Sequence, residues 1–61
     1  MLELSKTILS KISFDKYLFR KELKKAVKWV KPNETLVLKV WCIAQFGHMY
    51  KDVIQEVFDA N

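Results

Sequence analysis

Residues 16–31 read KYLFRKELKKAVKWVK, and whether they wind into a helix decides the fold. At 100° per residue, Phe19, Leu23, Ala26, Val27 and Val30 gather into one buried stripe. Lys16, Arg20, Lys24, Lys28 and Lys31 fall within about a third of the circumference, and Lys21 and Lys25 widen that arc. Seven bases stand here against a single acid, Glu22, for a net +6. The rest of the chain holds four bases and six acids, a net −2, so the overall +4 is a local field. Local fields attract anionic partners or hold anionic parts of the same fold.

Local signals bound this helix. Asp15 suits an N-cap, because its carboxylate can accept from free backbone N–H groups. Phe14 before the cap and Phe19 at the fourth helical position suit a hydrophobic staple. Pro32 disfavours helical geometry at Lys31 and closes the segment near Val30. The lysines crowd the C-terminal half, where the helix dipole favours positive charge.

Outward from it, three more helices are expected. Leu2–Ile12 carries Leu4, Ile8 and Ile12 on one face, with Leu9 widening the stripe. Glu34–Phe46 has Asn33 as its N-cap and Gly47 as the glycine just past its end. Leu36, Val37, Val40, Trp41, Ile43 and Ala44 cover a broad arc of this segment, and Leu38, Cys42 and Phe46 much of the remainder. A helix apolar nearly all round is normally the buried one, which predicts a central position. Alternation over Thr35–Val40 also permits a strand, but the length of the apolar stretch and Gly47 favour helix. Met49–Asp59 carries Tyr50, Val53, Ile54, Val57 and Phe58 in an unbroken i, i+3, i+4, i+7, i+8 pattern, with Asp52, Glu56 and Asp59 opposite.

Sixty-one residues make one domain, residues 1–61, with a thin stability margin. Cys42 and His48 are the only residues of their types, which excludes an internal disulfide and a Cys/His zinc site within one chain. No metal or cofactor is expected. Hydrophobic residues make up 51% of the chain, more than one small core readily hides, which favours association. Met1–Lys6 lacks the pattern of a targeting segment, and Leu36–Ala44 is too short to span a bilayer. A soluble, cytoplasmic protein is expected, and the unpaired cysteine fits a reducing compartment.

Five constellations bear on function. The basic ridge Lys16, Arg20, Lys21, Lys24, Lys25, Lys28 and Lys31 offers a face for phosphates or an acidic partner, with Tyr17 inside it and Trp29 beside it. Ten lysines to one arginine count against base-edge readout. The acidic face Asp52, Glu56 and Asp59 suits docking of that ridge, within the chain or from a second copy. Leu18 and Trp29 fall off the main stripe and near one another, and together with Phe14 form a candidate apolar contact patch. Cys42 and His48 flank the expected turn, but a thiol in the most apolar segment is normally inert packing. Ile43–Gly47 followed by Val53 departs from helix-turn-helix spacing, and the acids on the second helix would face like-charged phosphates.

The expectation is an all-α fold, a compact bundle of three to four short antiparallel helices. No enzymatic activity and no small-molecule substrate are expected. The function expected is an interaction module binding a protein partner or itself as a homodimer, through apolar and charged helix faces. The alternative is a small nucleic-acid-binding protein contacting phosphates through residues 16–31.

Overall fold

The computed structural model describes residues 2–59 and is all-α. It contains α1 (Leu2–Lys11), α2 (Lys16–Trp29) and α3 (Pro32–Asp59). The structure has three helices among the described residues, because the two expected after Pro32 form one hydrogen-bonded run.

Asp15 caps α2 as expected. Its Oδ1 accepts from the backbone N–H of Tyr17 at 2.9 Å and of Leu18 at 3.1 Å. The staple does not form, since Phe14 is 80% exposed while Phe19 is fully buried. Val30 closes α2 in extended geometry, its N–H donating to the Ala26 carbonyl at 3.0 Å.

The start of α3 differs from expectation. Asn33 is not its cap, because Pro32 is already helical and occupies the first position, where a missing N–H costs nothing. Glu34 then sits at the third position, and its Oε1 accepts from the Lys31 N–H at 3.3 Å. That is one half of a capping box.

Gly47 does not end a helix. No glycine has a positive φ, and helical hydrogen bonding runs through it. The change of direction comes three residues later at Tyr50, whose φ of −126° and ψ of 28° leave the helical region. A straight helix of α3's 28 residues would be about 42 Å long. The longest dimension of the molecule is 26 Å, so the bend is large. The Tyr50 hydroxyl donates to the Ser13 carbonyl at 2.6 Å, tying the bend to the α1–α2 connection.

Phe19 is the centre of the core. Its ring meets Phe46 edge-on at 5.1 Å and Tyr50 at 4.8 Å. Leu9, Leu23, Leu38, Cys42, Ile54 and Val57 surround it, each nearly or fully buried. The expected stripe of α2 is buried throughout, as are Tyr50, Val53, Ile54 and Val57 of α3, with Phe58 partly so.

Two faces are corrected. On α1, Leu4 is exposed and Ile8 only partly covered, while Ser5 and Leu9 are buried. The helix is turned by about one residue, 100°, from the expected stripe. Ser5 and Ala26, both small, line one small cavity between α1 and α2. On α3, the buried line is only Leu38, Cys42 and Phe46; Leu36, Val37, Val40, Ile43 and Ala44 of the broad arc point outward, while Trp41 is half-buried with its ring edge-on to Phe46 at 5.5 Å. The segment is not a buried central helix, since α1 and α2 cover one side of it.

Candidate interaction surfaces

The basic ridge lies along the exposed side of α2, and α3 partly neutralises it. Lys16 Nζ pairs with Asp52 Oδ2 at 3.2 Å, and Arg20 Nη2 with Glu56 Oε1 at 2.7 Å. The Lys16 hydrogen bond, helped by the Val53 N–H, holds the Asp52 carboxyl below its ordinary range. Two of the three acids on the acidic face therefore dock on the ridge within the chain. Asp59 lies one turn further on, exposed. Lys25 meets Glu22 of its own helix at 3.9 Å. Lys21, Lys24, Lys28 and Lys31 are exposed and form no ion pair among the described residues. Tyr17, with Arg20, Lys21 and Lys24, borders an open depression at the start of this ridge.

Phe14, Leu18 and Trp29 are all exposed, but they do not make one patch. Leu18 and Trp29 are eleven residues apart on one helix, about 16 Å along its axis. The Glu22–Lys25 pair lies between them. Trp29 instead borders the α1–α2 cavity with Ser5, Ile8 and Leu9.

The larger apolar surface is the outer side of α3. Leu36 is 67% exposed, Val40 59%, Val37 49% and Ile43 39%. Ala44 is also exposed. Leu36, Val37, Val40 and Trp41 form a shallow groove with Lys6 of α1, whose Nζ stands 5.8 Å from the Trp41 ring centroid. The signal for this face was present in the sequence. A segment apolar all round has two apolar sides, and a three-helix chain has enough neighbours to cover one.

Cys42 is fully buried, and burial pushes its thiol up to about 12. It is protonated at neutral pH and serves as packing, while His48 is exposed. No group of three His, Cys, Asp or Glu side chains among the described residues is placed to hold a metal ion. No helix among them is long and apolar enough to cross a membrane. Comparison with family models, curated proteins and solved structures finds no significant match for this chain.

Proposed function

We propose that this chain is a non-enzymatic helical interaction module, binding a protein partner or a second copy through the outer apolar face of α3. The observation that carries the reading is the exposure of Leu36, Val37, Val40 and Ile43 side by side on one helix. Contiguous apolar surface on a small protein marks contact sites, whereas scattered single residues do not. The reading puts the module in the cytoplasm, where Cys42 stays a thiol.

Site-specific photo-crosslinking in cells tests it. A crosslinker at Val40 or Ile43 is expected to trap a discrete adduct, and one at exposed Gln55 to trap none. An adduct of twice the chain mass identifies a second copy; any other mass identifies a partner. Equal trapping at all three positions, or none at Val40 and Ile43, overturns the reading.

A second reading rests on Lys21, Lys24, Lys28 and Lys31, which form no ion pair among the described residues, with exposed Tyr17 beside Lys21 and Lys24. Such a ridge binds nucleic-acid phosphates with an affinity that falls steeply with salt. Replacing Lys24, Lys25 and Lys28 by glutamine is expected to weaken binding to generic duplex and single strands alike. Unchanged binding by that triple variant removes this reading.

A further inference from the structure

On the reading of α2 as a phosphate-binding ridge, we infer that its occupant is a single strand of nucleic acid, with an unpaired base laid on Tyr17. Ion pairs take up part of the ridge. Lys16 is held by Asp52 at 3.2 Å, Arg20 by Glu56 at 2.7 Å, and Lys25 stands 3.9 Å from Glu22. Lys21, Lys24 and Lys28 are exposed, and none forms an ion pair among the described residues. Tyr17 and these three lysines recur at i, i+4, i+7 and i+11 within α2. At 100° per residue the four fall within an arc of about 60°, on the side away from buried Phe19, Leu23 and Ala26. They make a crest about 16 Å long.

The crest is too narrow for a duplex. Carboxylates stand on both of its flanks, Glu22 on one and the α3 residues Asp52 and Glu56 on the other. They remain negatively charged in their pairs. A duplex takes a helix into a major groove about 12 Å wide and about 8.5 Å deep, with a strand of phosphates along each wall. Around α2, both walls would meet carboxylates, and Lys16, Arg20 and Lys25 could turn to the phosphates only by leaving their pairs. A single strand runs along the crest alone, one row of phosphates against one row of ammonium groups.

Tyr17 selects a nucleotide over an acidic polypeptide. Its ring is 78% exposed at the head of the crest and borders an open depression with Arg20, Lys21 and Lys24. A flat ring in line with cations meets both parts of a nucleotide, stacking on the base while the lysines hold the phosphates. Inside a duplex the faces of each base are already stacked on their neighbours. A row of glutamates would satisfy the lysines and leave the ring in water. The cations of the crest are lysines alone, without the planar fork that pairs two atoms of a base edge, so binding is expected to tolerate any sequence.

Fluorescence anisotropy tests it, with a labelled mixed-sequence strand of about 12 nucleotides and the same strand as a blunt duplex. The single strand is expected to bind at least about tenfold more tightly at low salt, its log affinity falling against log salt with a slope of about −2 for three phosphates. Tyr17→Ala is expected to weaken the single strand at least about fivefold and leave the duplex as it was, and Tyr17→Phe to keep full affinity. Equal or tighter binding of the duplex, or a single-strand affinity untouched by Tyr17→Ala, overturns the single-strand occupant. So does displacement of the strand by poly-glutamate, or by phosphatidylglycerol vesicles, as readily as by unlabelled strand. Binding of neither nucleic acid removes the phosphate reading itself, as does unchanged binding of both when Lys24, Lys25 and Lys28 are replaced by glutamine.

Discussion

The two parts of α3 on either side of its bend have similar apolar content and different fates. From Tyr50 to Asp59, Tyr50, Val53, Ile54 and Val57 are buried, Phe58 is partly so, and the charged residues face outward. From Pro32 to Met49, a thin line of Leu38, Cys42 and Phe46 is buried, and more apolar residues lie outside than in. The difference is one of neighbours. An apolar circumference is satisfied only where the rest of the chain can surround it, and a chain of this size covers about 60% of its unfolded surface. Hydrophobicity states what a segment would gain by burial; topology states whether it is buried.

The sharpest way to break this comparison is to truncate both sides of the first part. Leu38→Ala on the inner line is expected to cost about 2–5 kcal/mol in chemical denaturation. Val40→Ala on the outer face is expected to stay within about 0.5 kcal/mol while weakening association. Equal losses would mean that the outer face is covered in the folded monomer. Next in size is Tyr50→Phe, which keeps the ring against Phe19 and removes the hydroxyl bond to Ser13. It is expected to lower stability by about 1 kcal/mol. Thermal unfolding that matches the unaltered protein would show that the bend does not depend on that bond.

Gly47→Ala distinguishes the needs of the fold from those of a partner. The site is helical and has room for a methyl group, so stability is expected to rise by roughly 0.5–1 kcal/mol. Association through the outer face of α3 is expected to weaken, because the added methyl group stands beside Ile43 on that face. A loss of stability on denaturation would place Gly47 in a structural role. The smallest effect belongs to the acidic face. The pKa of Asp52 is depressed in the folded state, so its contribution is complete above the unfolded value and lost as pH falls through the folded one. Stability is expected to decline below about pH 4. Asp52→Asn is expected to flatten that decline slightly, and an unchanged acid limb would show the Lys16 pair to be inconsequential.

These contrasts also explain what was readable in advance. Helix α2 was legible from end to end because its signals are local: Asp15 at one end, Pro32 beyond the other, and a single unambiguous stripe. The stripe of Tyr50, Val53, Ile54 and Val57 was legible for the same reason. The bend was misplaced at Gly47, because glycine past a helix end is a local sign. The contact that accompanies the actual bend joins Tyr50 to Ser13, 37 residues away. The facing of α1 was ambiguous because Leu9 fits either stripe, and the buried partner beside it is Ser5, a small polar residue that an apolar pattern does not flag. Among the candidate sites, the ridge was legible as charge, while its pairing with Asp52 and Glu56 depends on where the bend points Lys51–Asp59. The outer face of α3 was legible as composition and assigned to the wrong side.

The bend carries a consequence for biosynthesis. Phe19, at the heart of the molecule, finds its partners in Phe46 and Tyr50, and the lid over them comes from Val53, Ile54 and Val57. A nascent chain that has reached only Trp41 holds α1 and α2 with nothing to close them. Folding must therefore wait until Val57 has left the ribosome, and a premature stop before Ile54 would release a sticky fragment for proteolysis.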